Sequence, residues 1–321
     1  MTAGGLAIED APDRRRDEGP VFVAGADRSG IGILGELLEG HPRLALTRRT
    51  DFWSRVHGRY GDLRLPENLD RCLRDLSRDR RLRLLVPDRQ RLVADLADGD
   101  VDYPRLFALL QQQRAERLGR PRWGDKSLDA ERHADLILGA YPTARMIHVL
   151  RDPRDRYASY KHHRRAGRGD LAAGVAVWLR SARLAVRNPR RHRGRYLVVR
   201  YEDLVREPVR VVKQICQFIG EDPAPLLADG GCAGGAWLRA SQLHSASIGT
   251  HRTGLVPAET AVLQLVTGRW MRRHGYQPDR VLTSPAAWLE FVLIRLPVAL
   301  CLLAAWGSRE RLRRSRPPQP R

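Results

Sequence analysis

Short apolar runs alternate along this chain with segments whose apolar residues recur at helical spacing. The first run covers residues 20–24 and leads through a glycine-bracketed loop at 25–30 into a helical pattern. Later runs cover 145–150 and 195–201, and a helical pattern over about 157–186 separates them. Such runs are typical of parallel strands buried on both faces, and their alternation with helices predicts right-handed βαβ units.

The stretch from about 51 to 120 differs, because it is rich in arginine and its leucines recur at helical intervals. We interpret it as several helices that cover a site, with most of its arginines on solvated faces. The predicted fold is α/β: a P-loop-like three-layer fold with a mostly parallel central sheet and a helical insertion. In such folds ligands bind beyond the carboxyl ends of the strands.

Length and composition predict one large globular domain. Of the 321 residues, 42% are hydrophobic and 29% are charged, which is the balance of a folded chain. We expect a flexible tail over 1–19, the α/β domain over 20–280, and a hydrophobic helix with a basic tail over 286–321. Residues 286–306 have membrane-spanning length but contain Glu290, Arg295 and Pro297. They therefore favour peripheral membrane contact, and a docking helix is the alternative.

The net charge of +20 is almost entirely arginine, since the chain contains only three lysines. Arginine is suited to forked recognition of phosphate and sulfate, although genomic base composition explains the bias equally well. The charge predicts anionic partners, but no pattern typical of nucleic-acid recognition is present, so nucleic acid is not expected. Four cysteines without metal-ligand spacing and a polar N-terminus predict a cytoplasmic protein, at the membrane face if the C-terminal helix contacts lipid.

The loop from Gly25 to Gly30 has the glycine spacing of a P-loop, yet Ile31 and Gly32 stand where lysine and serine or threonine would follow. Its backbone N–H groups and the positive end of the next helix predict an anion site. Without the lysine and the magnesium-binding hydroxyl, ATP or GTP hydrolysis loses its main charge stabilisers. Arg28 supplies a positive charge from within the loop, which indicates a phosphate binder with another chemistry.

Three further motifs follow in order. Trp123-Gly-Asp-Lys-Ser127 contains Lys126 in what its Gly and Asp suggest is a turn. The apolar run at 145–150 leads directly into Arg151-Asp-Pro-Arg-Asp-Arg-Tyr-Ala-Ser159, where Arg151 and Ser159 can converge on one anion. Taken alone, this motif is better explained as an ordinary helix start whose aspartates satisfy the helix dipole. Arg200-Tyr-Glu-Asp-Leu204 comes last.

In this order the motifs resemble the sulfotransferase family, which transfers a sulfuryl group from 3′-phosphoadenosine-5′-phosphosulfate (PAPS) to an acceptor. The resemblance covers about residues 20–276 and is greatest to the bacterial and Golgi-type branches. It implies PAPS as cofactor, no metal, and a hydroxyl or amine of a glycan, lipid or metabolite as acceptor. The alternative is a non-catalytic or repurposed nucleotide-binding relative.

The resemblance also assigns roles. The glycine loop would hold the 5′-phosphosulfate. Arg151 and Ser159 would bind the 3′-phosphate, with help from His163, Arg164 or Arg165. A loop late in the chain would close the site. Arg28 and Lys126 would neutralise the transferring group, and Tyr201 would lie near the adenosine. The implied cofactor-binding residues are Gly25, Arg28, Ser29, Gly30, Ile31, Gly32, Arg151, Ser159, Tyr201, Arg252, Thr253 and Gly254.

The chain departs from the family pattern at the loop and at the general base. Relatives usually carry two Ser/Thr residues at the positions of Ile31 and Gly32, and each missing hydrogen bond to a charged group is worth roughly 1.5–3 kcal/mol. Asp27 replaces the commoner proline.

The family's base is a histidine or glutamate after the first helix; here Asp51 is the nearest match and His57 the second. A surface ion pair with neighbouring arginines is the alternative reading of Asp51.

Overall fold

A computed structural model describes residues 19–85, 88–164, 170–228 and 247–281. The predicted N-terminal tail, apart from Gly19, and the whole of 286–321 lie outside these ranges, so the domain limits stay predictions. Among the helices within these ranges, none combines the length and the apolar character that a bilayer crossing requires.

The centre of the molecule is a single five-stranded sheet in the order β2-β3-β1-β4-β5, and every neighbouring pair is parallel. Its strands are β1, Val21–Gly25; β2, Leu44–Arg48; β3, Arg122–Leu128; β4, Arg145–Leu150; and β5, Tyr196–Arg200.

Thirteen α-helices surround the sheet in the described part of the chain. They are α1, Ile31–Glu39; α2, Phe52–Arg55; α3, Pro66–Arg78; α4, Arg89–Ala97; α5, Tyr103–Arg117; α6, Ala134–Ala140; α7, Pro153–Arg164; α8, Asp170–Arg191; α9, Tyr201–Arg206; α10, Pro208–Ile219; α11, Ala224–Leu227; α12, His251–Gly254; and α13, Pro257–Arg273.

Two hydrophobic layers sandwich the sheet, because side chains of a strand alternate between its faces. Phe22 and Ala24 pack into a cluster formed by α2 to α6, which includes the helical insertion. Val21 and Val23 pack on the opposite face, in a cluster with α1, α9 and α10. The predicted three-layer α/β fold with a parallel sheet and a helical insertion is thereby confirmed.

Two local expectations differ from the structure. Residues 123–127 lie within strand β3 rather than in a turn: the absent side chain of Gly124 admits the Val21 carbonyl, and the Asp125 carboxylate accepts hydrogen bonds from Thr50 at 2.9 Å and Ser127 at 2.8 Å. Strand β2 was not expected, because it has only five residues, follows α1 after four residues and ends at the charged Arg48. In β3, buried polar residues interrupt the apolar run by which a strand is recognised in a sequence.

The sheet order creates a crevice at the carboxyl ends of β1 and β4. The chain leaves β1 toward β2 on one side and leaves β4 toward β5 on the other, which is the topology that opens a ligand crevice. In the described ranges, the non-glycine residues with left-handed backbone also follow strand ends: Arg28 after β1, Arg49 and Asp51 after β2, and Asp129 after β3. Such strained residues cluster at functional sites.

Candidate functional site

The glycine loop at the end of β1 is shaped by close approaches that only glycine permits. A Cβ on Gly25, whose φ is 153°, would lie 2.7 Å from the carbonyl oxygen of Val149. A Cβ on Gly30, whose φ is 101°, would overlap the ring of Tyr201. Helix α1 starts at Ile31 without a capping side chain, so its first amides face the crevice with the partial positive charge of the helix end.

Arg28 lies in this loop with a φ of 67° and extends toward helix α7. Its Nε donates a hydrogen bond to Ser159 Oγ at 3.0 Å, and its Nη2 lies 3.1 Å from Nε2 of His163. The Ser159 hydroxyl is thus in direct contact with Arg28, whereas the sequence prediction paired Ser159 with Arg151 on one anion. His163, which the sequence offered as an assisting residue, belongs to the same group.

Arg151 occupies the tip of β4 and binds the two loops beside it. Its Nη1 donates to the carbonyl of Arg28 at 3.2 Å and its Nη2 to the carbonyl of Ser247 at 2.7 Å. The guanidinium carbon also lies 4.5 Å from the centre of the Tyr201 ring, whose hydroxyl is 2.6 Å from Ser247 Oγ. The Nε of Arg151 is buried and has no hydrogen-bond partner in the described part of the chain.

Lys126 reaches the crevice from β3, on the opposite side of β1. Its methylene chain packs on Gly35 of α1, where a Cβ would overlap it. Burial lowers the pKa of the Lys126 ammonium, with the nearby Arg48 charge acting in the same direction. A bound anion would counter both effects, so this lysine is suited to an anionic ligand.

These groups enclose a cavity of about 460 Å³. Four cationic side chains and one carboxylate, that of Asp27, line it together with the start of α1. The lining residues are Asp27, Arg28, Gly30, Ile31, Gly32, Ile33, Arg49, Lys126, Leu128, Arg151, Ser159, His163, Tyr201 and Ser247. The excess of positive charge makes the cavity suitable for an anion with charge at more than one point.

Asp51, the predicted general base, is absent from the cavity lining but pairs with Arg49, which lines it. Its carboxylate forms ion pairs with Arg81 and, at 3.7 Å, with Arg49. Burial raises the pKa of Asp51, and the two arginines oppose that rise only in part. The backbone N–H of Leu128 also donates to this carboxylate and acts against the rise. His57, the second candidate, stacks on Trp53 and is absent from the cavity lining.

The late segment, residues 247–255, which is the loop expected to close the site, joins the site through Asp155 of α7. The Asp155 carboxylate accepts hydrogen bonds from the amides of Gly249 and His251, at 2.7 and 3.0 Å. The His251 ring lies between two carboxylates, with Nδ1 2.6 Å from Asp155 and Nε2 2.8 Å from Asp279. This arrangement fixes Ser247, which contacts Arg151 and Tyr201, at the edge of the cavity.

The residues predicted from this segment lie outside the cavity lining. The Arg252 side chain is 72% exposed and lies 3.8 Å from the Asp279 carboxylate. Thr253 donates back to the carbonyl of Thr250, and Gly254 packs near Ala158 of α7. The segment thus reaches the cavity through Ser247 and not through its basic residue.

Buried Arg156 positions the glycine loop from below. Its Nε donates to the carbonyl of Asp27 at 2.8 Å and its Nη1 to that of Gly174 at 3.0 Å. Burial lowers the pKa of this arginine to about 10.

Sequence reasoning missed Arg156, Arg49 and Ser247, because their roles depend on contacts between distant segments. The only local signal was the density of charge in 151–156, which is unusual directly after a buried strand.

The chain matches the family model described as "Sulfotransferase family" over residues 20–225. Among curated proteins, mouse Carbohydrate sulfotransferase 3 is 31% identical over 104 residues, which cover 26% of this chain. The match spans only 22% of the mouse protein.

Solved structures with a similar fold include two sulfotransferase domains. One comes from the Synechococcus PCC 7002 olefin synthase, with a TM-score of 0.54, 25% identity, and coverage of 81% of this chain and 95% of that domain. The other belongs to the curacin biosynthetic pathway, with a TM-score of 0.52, 19% identity, and coverage of 81% and 99%.

The His251 link predicts a pH dependence of stability. Burial alone would lower the pKa of His251, but its hydrogen bonds with Asp155 and Asp279 outweigh burial and raise it. A histidine whose pKa is raised on folding stabilises the fold fully at pH values below its unfolded pKa of about 6.5. This stabilisation is lost as pH rises through the folded-state pKa. His251→Gln should therefore lower the melting temperature more at about pH 6 than at about pH 8.5, as measured by calorimetry.

His274→Gln is the matched control, because burial lowers the pKa of His274. Its destabilising effect should grow toward high pH instead. An effect of His251→Gln that is equal at both pH values would contradict a charged His251 between the two carboxylates.

Proposed function

Because this chain belongs to the sulfotransferase family, we propose that it transfers a sulfuryl group from PAPS to a hydroxyl or amine of an acceptor. The observation that carries the proposal is the cationic cavity between the tips of β1 and β4. It has basic side chains on both sides of the glycine loop, which suits a nucleotide with anionic groups at both ends.

The residues present fit such a ligand. The cavity volume of about 460 Å³ falls within the range of roughly 300–1,000 Å³ that small-molecule sites occupy. One buried donor of a residue that lines the cavity, Arg151 Nε, lacks a partner in the described ranges, and a ligand oxygen would satisfy it. The amides of Ile31 and Gly32 would hold the 5′ end, and the Tyr201 ring would lie along the nucleoside.

When bound, PAPS supplies the sulfuryl group as a phosphosulfate anhydride. Lys126 and the first amides of α1 would stabilise the charge that develops on the leaving phosphate, which is the dominant kind of catalysis in such transfers. Lys126 and these amides need no rearrangement to act on the leaving phosphate, because Gly35 and the start of α1 already hold the lysine chain and the amides in place.

Asp51 is our proposed general base. Its carboxylate would take the proton of the acceptor's hydroxyl or amine, and burial raises its pKa toward the range useful for proton transfer. Arg49, which lines the cavity, links the carboxylate to the site. The acceptor itself is open among glycans, lipids and metabolites, and the mouse relative favours testing glycans first.

The proposal predicts selective stabilisation by the product nucleotide, adenosine 3′,5′-bisphosphate (PAP). A ligand that binds only the folded state at about 100 times its Kd adds about 2.7 kcal/mol to the free energy of unfolding. We expect PAP to raise the melting temperature and ATP to leave it unchanged. A second assay measures the transfer of radiolabelled sulfate from PAPS to a panel of acceptors. Absence of a PAP effect would refute the proposal, whereas binding without any transfer would favour the repurposed nucleotide-binding relative.

The altered loop predicts a gain-of-affinity variant. A Cβ at Gly32 meets no atom within 4 Å, so a serine fits there without displacement. Its hydroxyl would add one hydrogen bond to the 5′-phosphate, and Gly32→Ser should bind PAP about tenfold more tightly by calorimetric titration. Gly32→Ala controls for helix propensity and should change affinity little; equal gains for both variants would contradict a hydroxyl contact.

The base assignment predicts a split between binding and turnover. Asp51→Asn should reduce the transfer rate by about 10²–10⁴-fold with PAP affinity nearly unchanged. In the unaltered protein the rate should fall as pH drops through the raised pKa of Asp51, and the variant should lack this acid limb. Asp27→Asn is the control, since Asp27 is the carboxylate that lines the cavity directly. If that variant loses the acid limb instead, Asp27 is the base.

A further inference from the structure

A second cavity, of about 270 Å³, adjoins the nucleotide cavity, by which we mean the cavity between the tips of β1 and β4. Three residues line both cavities and form their boundary: Asp27, Arg49 and Leu128. From this boundary the second cavity continues to α7 and α8, where Tyr160 and Ala173 lie on its walls. Its volume is below the roughly 300–1,000 Å³ of typical small-molecule sites, so it fits one ring or a short chain.

The proposed base, Asp51, contacts two of the three boundary residues. Its carboxylate lies 3.7 Å from Nε of Arg49. It also accepts a hydrogen bond from the backbone N–H of Leu128. A hydroxyl that reaches the boundary from the second cavity therefore comes near the base, and the nucleotide cavity lies on the other side of that hydroxyl.

Both guanidinium groups on the walls of the second cavity are already engaged. Arg49 is paired with Asp51. Arg156 donates from Nε to the carbonyl of Asp27 at 2.8 Å and from Nη1 to that of Gly174 at 3.0 Å. These contacts hold the walls together, so neither arginine is set aside for an anion in this cavity.

The carboxylates of Asp27 and Asp129 are the other charged groups on these walls. The Asp129 carboxylate lies 3.8 Å from Arg180 and 3.9 Å from Arg132, which is beyond hydrogen-bond distance. Since an ionised carboxylate only accepts hydrogen bonds, a ligand that binds here has to offer hydroxyl or N–H donors. A ligand carboxylate or sulfate would instead meet two like charges and lose affinity.

From this geometry we infer that the second cavity is the acceptor site, and that Asp27 and Asp129 make it select small acceptors without negative charge. The inference rests on the proposed function and narrows the acceptor to hydroxyl compounds that are uncharged or carry an ammonium group. Ala173 and Val177 supply an apolar wall for the carbon skeleton. In the transfer, the acceptor oxygen bonds to sulfur, the bond between sulfur and the bridging phosphate oxygen breaks, and the acceptor's proton passes to Asp51.

The test is a charge series on one carbon skeleton. Methyl glucoside, its amino-sugar counterpart and its uronate are each offered to the full chain with radiolabelled PAPS. The same series is run on glycerol, aminopropanediol and glycerate. We expect the uncharged and ammonium compounds to be sulfated and the carboxylates to react at least about tenfold more slowly, because their charge meets Asp27 and Asp129.

Asp129→Asn should relax this selection. It removes one of the two carboxylates, and asparagine tolerates the left-handed backbone at this position. Asp129 is absent from the lining of the nucleotide cavity, so PAP affinity should stay unchanged. The rate with the carboxylate compounds, relative to the uncharged ones, should rise by about tenfold.

Ala173→Leu should block the acceptor and spare the nucleotide. The larger side chain fills part of the second cavity, and kcat/KM for the acceptor should fall by about tenfold or more at unchanged PAP affinity. Ala176→Leu is the matched control, because it is the same substitution on the same helix at a residue that lines neither cavity. It should change neither quantity.

Equal rates for the uncharged and carboxylate compounds in the unaltered protein would overturn the inference. Equal effects of Ala173→Leu and Ala176→Leu, or sulfation of none of these compounds, would also overturn it. In each of these cases the proposed function survives if PAP binds, and both fail if PAP does not bind. The melting temperature of each variant without ligand identifies misfolding, and the charge series on the unaltered protein decides the question without any variant.

Discussion

The parallel pairing of β1 with β4 is the constraint on which the site depends. Val21 to Ala24 lie beside Arg145 to His148, so both strands end at the same edge of the sheet. A glycine loop follows one strand and an arginine follows the other, and the Arg151 guanidinium bonds to the carbonyl of Arg28 across the gap. Without this register the two halves of the cavity would not face each other.

The charged segment 151–156 turns that register into a fixed geometry. Each charge buried there would cost several kcal/mol if left unpaired. Asp152 accepts from Arg154, Asp155 from the amides of the late segment, and Arg156 donates to the carbonyl of Asp27. Three parts of the chain, namely the glycine loop, the late segment and the start of α7, are thereby joined, and the need to satisfy these charges keeps the cavity walls in place.

Under the proposed function, the same arrangement would let a divergent loop retain an anion site. Ile31 and Gly32 contribute no hydroxyl, yet their amides still face the crevice at an uncapped helix start. Lys126, on one side of β1, and Arg28, which reaches α7 on the other, supply charge at separate points. Charge distribution across the cavity, more than any one side chain of the loop, therefore determines which ligand fits.

The sequence alone determined the fold class and the segments that meet, because apolar runs report burial and the glycine and arginine motifs are local. It did not reveal strand β3, whose Asp125 and Ser127 are buried among polar partners from β2 and its following loop. Tertiary structure alone decided that Arg28 turns to Ser159, that Arg252 turns away, and that Arg156 and Ser247 hold the walls. These side chains form hydrogen bonds or ion pairs with residues far away in the sequence. Such partners come close only when the chain folds, so a local sequence pattern cannot identify them.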